Sequence, residues 1–247
     1  MHWKTAISHV ADGKEIIRGY DLKELIQKKS FVECIYLVLK GELPNEKQTR
    51  MLNALFTAAI DHGIGVSSAM TARTVASTGN SLHTAIAAGI LSMGKLHGSA
   101  IEDAAQFFQD NVADSDPEGL LKREKGKGKR IPGYGHKILA HDPRSEALFA
   151  VAKETGSYGK HCVFAEAVGK ILNAVSSKKL PLNVDGAMAA IISDMGFDWR
   201  LAKGFFIIGR VPGLAAHVYE EKTAGAGIRR LAEDAAEYVG EEERKIE

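Results

Sequence analysis

The chain has 247 residues, 45% of them hydrophobic and 26% charged, with 32 Lys+Arg against 31 Asp+Glu. This composition excludes a chain dominated by disorder, because enough apolar surface is present to offset the entropy of ordering one large or two small domains. A formal net charge of +1 supplies no broad basic face, so no nucleic-acid partner is expected.

In chain order, residues 24–39 carry apolar side chains at Leu25, Ile26, Phe31, Val32, Ile35, Tyr36 and Leu39, a helical rhythm interrupted near Ser30. Ser30 with Glu33 three residues on predicts a capping box that restarts the helix, and Gly41-Glu42-Leu43-Pro44 ends it. Further helices are predicted over 46–62, 68–78, 82–96 and 101–111, then over 142–155, 163–176, 187–195, 201–208 and 214–222. Alternating Val/Ile/Thr runs are scarce, so strands should be few and the fold class mainly α. Between the two groups of helices, Lys122 to Arg130 holds six bases and one acid, which reads first as a solvated loop. The last seventeen residues hold seven acids and two bases, the composition of an exposed helix or frayed tail.

The first residues lack the apolar core of a secretory leader. The longest uncharged apolar stretch, 85–94, is about half of the ~20 residues that span a bilayer, so no membrane segment or membrane partner is expected. Cys34 and Cys162 lie far apart and outside any CxxC pair, which argues against a metal knuckle or redox couple. Cys34, inside Val32-Glu33-Cys34-Ile35-Tyr36-Leu37, reads as a buried small hydrophobe. A cytoplasmic address is the default expectation.

Familiar phosphate and metal signatures fail. The glycine- and lysine-rich stretch 119–135 contains no GxxxxGK[ST], Gly133-Tyr134-Gly135 lacks the third glycine of GxGxxG, and the nine histidines form no HExxH, so no metal site is expected. What remains is a set of His, Asp and Arg residues beside glycine or proline: Asp61-His62-Gly63, Leu96-His97-Gly98, Gly133-Tyr134-Gly135-His136, Asp142-Pro143-Arg144, Asn183-Val184-Asp185-Gly186 and Gly209-Arg210-Val211-Pro212-Gly213. Each has a plain explanation. His97 and Gly98 suit a helix C-terminus, Asp185 suits a cap for the 187–195 helix, and Arg210 suits the carbonyl end of the helix preceding it. Six such sites at helix ends, where side chains converge on clefts, weaken those explanations jointly.

On these residues the chain resembles the citrate synthase superfamily, and within it the citryl-CoA lyases, which are similar to the C-terminal module of ATP-citrate lyase. The likeness extends from Asp12-Gly13 and Ile17-Arg18-Gly19-Tyr20-Asp21-Leu22 through Phe31-Val32-Glu33 and Gly41-Glu42-Leu43-Pro44 to the motifs above, in the family's order. Full-length citrate synthases are longer and carry extra N-terminal helices. The shorter length here and Leu182-Asn183-Val184-Asp185-Gly186 point to the lyase branch.

The resemblance implies a mainly α, citrate synthase-like fold, with a large helical domain (1–97 and 195–247) and a smaller catalytic domain (98–194) inserted in it. It implies reverse-aldol cleavage of citryl-CoA to acetyl-CoA and oxaloacetate, with CoA as part of substrate and product and no tightly bound cofactor. His136 would contact the hydroxyl, His97 would donate to the enolate oxygen, and Asp185 would protonate carbon. Histidine suits the hydroxyl role because its reference pKa of about 6.5 lies near working pH. Two free carboxylates on the citryl head call for planar forked cations. Arg144 and Arg210 match the family's carboxylate-binding arginines, and His62 its substrate-binding histidine. A third arginine, Arg229 or its neighbour Arg230, would come from another subunit, which implies a homo-oligomer, a dimer at least. The basic stretch would then meet CoA phosphates through Lys129, Arg130 and Lys137, with Gly133 and Gly135 admitting the adenine. The spacing from His136 to Arg144 is one residue shorter than in typical citrate synthases. Ala140 falls near a position where some relatives carry a CoA-contacting arginine. The same trio serves a citrate or 2-methylcitrate synthase, the alternative reading; a non-catalytic CoA-binding paralogue is disfavoured by the intact His97, His136 and Asp185.

Overall fold

The structure, a computed structural model, describes residues 2–94, 97–98, 100–128, 130–135, 142–225 and 227–246. Near the N-terminus, β1 (Ser8–Ala11), β2 (Lys14–Ile17) and β3 (Tyr20–Asp21) form a small antiparallel meander in the order β1-β2-β3. Both connections are two-residue turns, Asp12-Gly13 at φ 51 and 72 and Arg18-Gly19 at φ 47 and 88. Such doubly left-handed turns match the twist of the strands they join. Arg18 ties the sheet to the helical body, its Nε and Nη2 donating to the Val38 carbonyl at 3.1 and 2.8 Å.

The remaining described elements are two single-turn 3-10 segments, Trp199–Leu201 and Glu233–Ala235, and, as expected, α-helices. The α-helices are α1 (Leu22–Lys28), α2 (Phe31–Lys40), α3 (Glu46–Ala59), α4 (Ser67–Ser77), α5 (Leu82–Leu91), α6 (Ala100–Asn111), α7 (Pro117–Gly126), α8 (Pro143–Thr155), α9 (Lys160–Val175), α10 (Val184–Asp194) and α11 (Ala202–Thr223). The Ser30–Glu33 capping box forms and Gly41 ends α2 in the left-handed region at φ 93. Cys34 is half-buried instead of buried, because α2 directs Tyr36 and Leu37 into the core; Cys162 is the fully buried one.

Several predicted boundaries move. The stretch read as a basic loop is largely α7, begun by the Asp116 cap and Pro117 at its first turn and held by buried Leu120 and Leu121. The helices expected at 201–208 and 214–222 are one, with Pro212 inside it. Burial of Phe205 before the proline and of Leu214 and Val218 after it outweighs one lost backbone hydrogen bond. By length and composition the segment Trp199–Thr223 is apolar enough to cross a membrane, but these buried side chains and the buried Arg210 mark a core helix. Helix α5 ends at Leu91, which leaves His97 beyond it in a turn.

The chain divides into two compact units, one of residues 1–62 and 93–212, the other of 63–92 and 213–247. The partition expected from the resemblance follows other boundaries. In the first unit, α10 is the central helix, packed by α6, α8 and α9. All its residues are buried except Asp185 and Asp194, which are half-buried, as its apolar sequence Ala187-Met188-Ala189-Ala190-Ile191-Ile192 requires. In the second unit α4 and α5 lie so close that a Cβ on Gly89 would stand 2.8 Å from the Ser68 carbonyl oxygen.

Asp194, at the end of α10, caps the start of α9 from outside. Its carboxylate accepts from the backbone N–H of Gly159 (2.8 Å), His161 (2.9 Å) and Cys162 (3.0 Å), and lies 2.9 Å from His161 Nδ1. Burial opposes its charge, but the His161 ring and these N–H groups hold its pKa down to about 2. Asp194→Ala is therefore expected to destabilise the fold by about 2–4 kcal/mol at neutral pH. Because the folded pKa lies below the usual 3.8, this stabilisation is complete above that value and is lost as pH falls toward 2. Urea melts across that range should show the wild-type advantage over the variant shrinking; a constant difference would refute the linkage.

Candidate active site

The site is built in the first unit around the N-terminus of α10. The segment 181–183 pairs with 133–135: Gly135 N donates to the Pro181 carbonyl (2.8 Å) and Asn183 N to the Gly133 carbonyl (3.0 Å). Two glycines make the seat possible. A Cβ on Gly186 would stand 2.4 Å from the Gly133 carbonyl oxygen, and one on Gly133 would stand 2.8 Å from Gly186 Cα. Gly133 also has φ +85, a backbone region that other residues resist. Tyr134 anchors the loop between α6 and α9, donating to the Ala165 carbonyl at 2.7 Å with its ring edge-on to Phe108.

Asn183 caps α10, its side-chain oxygen accepting from Gly186 N at 3.0 Å. The helix thus begins three residues earlier than expected, and Asp185 lies in its first turn instead of serving as its cap. That correction matters chemically: the Asp185 carboxyl is not engaged in capping. Burial raises its pKa; Asp142 adds to the rise, while Arg144 and Arg210 oppose it.

Asp142 caps α8 and is fully buried at its side chain. It receives the fork of Arg144, Nε at 3.0 Å on one oxygen and Nη2 at 2.9 Å on the other. Arg144 Nη1 lies 3.1 Å from His62 Nδ1. Guanidinium only donates, so Nδ1 accepts and the His62 proton resides on Nε2. Arg210, on α11, is 3% exposed. Its Nε donates to the Ala59 carbonyl at the end of α3 (2.7 Å) and its guanidinium lies 4.9 Å over the Phe206 ring. The helix expected to end before Arg210 continues through it as α11, and Arg210 closes the end of α3 instead. Its buried Nη1 has no hydrogen-bond partner among the described residues. Burial weakens its charge while Asp61 and Asp185 favour it. His97 is edge-on to Phe206 at 6.4 Å, and burial, then Arg210 and His62, lower its pKa and keep the ring neutral.

His62, His97, Arg144, Asp185 and Arg210 therefore share one electrostatic neighbourhood. Such an arrangement can hold carboxylates on two guanidinium groups, donate from a neutral imidazole and shift a carboxylic acid toward its protonated form. Arg130 is exposed. Arg229 lies in the second unit, where Nε and Nη2 donate to Glu221 at 2.6 and 2.9 Å; Glu221 also receives Arg73 Nε at 2.7 Å. His136, Lys129 and Lys137 lie outside the described residues. Sequence reasoning passed over Lys178 and Lys179, which with Asn173, Ser176, Ser177 and Pro181 line a cleft of ≈ 370 Å³ beside the paired loop. The available signal was the pair of lysines just before Pro181. It also gave Asp142 no role, although Asp142-Pro143-Arg144 was singled out.

Comparison with known proteins places these features. Residues 2–51 and 45–231 match the family model described as citrate synthase, C-terminal domain. A solved citryl-CoA lyase from Hydrogenobacter thermophilus is 49% identical, with a TM-score of 0.94 over 99% of this chain and 97% of its own. An ATP citrate lyase from Methanosaeta concilii, solved as an aspartate-to-alanine variant with (3S)-citryl-CoA, is 26% identical with a TM-score of 0.86, over 98% of this chain and 42% of its own. Citrate synthase 2 of Bacillus subtilis is 28% identical over 96% of this chain and 63% of its own length. The chain thus spans less than two thirds of the curated relatives it matches first.

Proposed function

The chain belongs to the citrate synthase family, and from that premise we propose that it is a citryl-CoA lyase, cleaving citryl-CoA to acetyl-CoA and oxaloacetate. The observation that carries the reading is the 49% identity to a citryl-CoA lyase across nearly the whole of both chains. The matches to curated citrate synthases are more distant and cover about 60% of their length, 63% for that of Bacillus subtilis and 59% for that of Haloferax volcanii.

The reaction is a reverse aldol. A base removes the proton of the tertiary hydroxyl, the carbon–carbon electrons pass to the thioester, and the resulting enolate takes a proton at carbon. His136 is assigned the hydroxyl proton by the sequence likeness. His97, kept neutral by burial and by Arg210 and His62, donates to the enolate oxygen. A preorganised donor of this kind contributes about 10²–10³ in rate. Asp185, whose burial favours the protonated acid, delivers the proton to carbon. Arg144 and Arg210 hold the two free carboxylates with His62 alongside, and Arg229 of a second copy adds to them in a homo-oligomer.

Lys178 and Lys179, together with Arg130 and the basic Lys129 and Lys137, supply cations for the CoA phosphates. Coenzyme A enters and leaves as part of substrate and product. Closure of a domain of 98–194 over the remainder would exclude water from the enolate. The free Cys34 and Cys162 accord with a cytoplasmic address. Mixing the protein with citryl-CoA is expected to release oxaloacetate and acetyl-CoA, followed by coupled reduction of oxaloacetate. Free citrate and CoA as main products would instead establish a synthase that hydrolyses the thioester.

A further inference from the structure

We propose that Asp142 is a positioning residue for this reaction: it fixes the carboxylate-binding Arg144 in register with the start of α10, and so with the proton-carrying Asp185. The identity of the ligand rests on the lyase reading; the geometry does not.

Each Asp142 oxygen accepts two hydrogen bonds. Oδ1 takes Arg144 N (3.1 Å) and Nε (3.0 Å); Oδ2 takes Arg144 Nη2 (2.9 Å) and Val184 N (3.0 Å). A helix cap needs only one oxygen on one backbone N–H. Here the second oxygen reaches across to α10, to the residue immediately before Asp185. Burying this carboxylate is costly unless it is paired and saturated, and Arg144 and Val184 saturate it.

The fork also decides what Arg144 presents. A guanidinium has five N–H donors. Asp142 occupies one on Nε and one on Nη2, and His62 occupies one on Nη1. The two donors left, one on each terminal nitrogen, suit a ligand carboxylate held end-on. Without Asp142, Arg144 keeps its charge but loses its fixed plane and its tie to Asp185. The charges facing Asp185 are Asp142 and Arg144 from the start of α8 and Arg210 from α11. Removing the negative charge of Asp142 and freeing Arg144 both favour an ionised Asp185.

The test uses the full-length protein as Asp142→Asn and Asp142→Ser, with Ser145→Ala on the same helical turn as control. Asn and Ser both cap helices, so α8 keeps its start while the carboxylate is lost. Citryl-CoA cleavage is followed by oxaloacetate release across pH, and oxaloacetate binding is measured separately by calorimetry. The expected result is a rise of about 10–100-fold in KM and in the oxaloacetate Kd, with kcat less affected. The high-pH fall of kcat should also move to lower pH, while Ser145→Ala behaves as wild type. Unchanged KM, Kd and pH profile in a folded variant overturn the proposal. Collapse of both variants likewise overturns it, in favour of a purely structural role. Failure of the wild type to release oxaloacetate would reject the lyase reading instead, and calorimetry would still judge Asp142.

Discussion

Asp185→Asn is expected to slow citryl-CoA cleavage by about 10²–10⁴-fold while leaving the melting temperature nearly unchanged. The two parts follow from different observations. Catalysis should fail because asparagine carries no transferable proton. The fold should survive because Asn183, not Asp185, caps α10, and because the substitution removes a carboxyl whose burial is unfavourable when ionised. The pH dependence has a definite sign. Burial raises the Asp185 pKa, so the protonated acid needed for cleavage persists above the usual carboxylate range. Cleavage then declines as pH rises through that elevated value, and condensation, which needs the ionised base, rises through it. Single-turnover mixing with citryl-CoA and a thermal melt test both parts. Undiminished turnover would remove Asp185 from the chemistry.

Arg210→Ala is expected to lower kcat/KM by about 10²–10³-fold, the scale of truncating one partner of a buried, hydrogen-bonded charge pair. Arg210 is the deeper of the two arginines, 3% exposed, and its Nη1 has no partner among the described residues. A buried guanidinium with an unsatisfied donor is poised for an anion: desolvation has already occurred and the ligand supplies the missing acceptor. Arg210→Lys should rescue little. A lysine point charge cannot hold the Ala59 carbonyl and present a fork at the same time. The loss should appear in oxaloacetate affinity as well as in turnover, since binding precedes chemistry. Wild-type kcat/KM in the alanine variant would assign Arg210 to closing α3 alone.

Much of this was legible in the chain. Ser30 and Glu33 announced their capping box because capping depends on neighbours three residues apart. The apolar run after Asp185 announced the central helix because no exposed helix tolerates it. His62, His97, Arg144, Asp185 and Arg210 stood out as reactive side chains beside glycine or proline, and all but Arg210, which is inside α11, lie at or beyond helix ends. The misses have a common cause. Leu120 and Leu121 convert the basic stretch into α7 only through burial against other elements, and Pro212 is carried inside α11 only because apolar residues on both sides are buried. Local propensity is a few kcal/mol at most, and packing overrides it.

The sequence by itself determined the class of the fold, the family and the residue types able to hold carboxylates and move a proton. Those depend on short-range spacing and on identity, which the chain carries openly. Tertiary structure alone decided that Asp142 ties Arg144 to Val184, and that Arg210 is buried against the Ala59 carbonyl with a donor to spare. Each of these joins residues tens of positions apart through burial and hydrogen-bond saturation. Such terms exist only once the helices are packed.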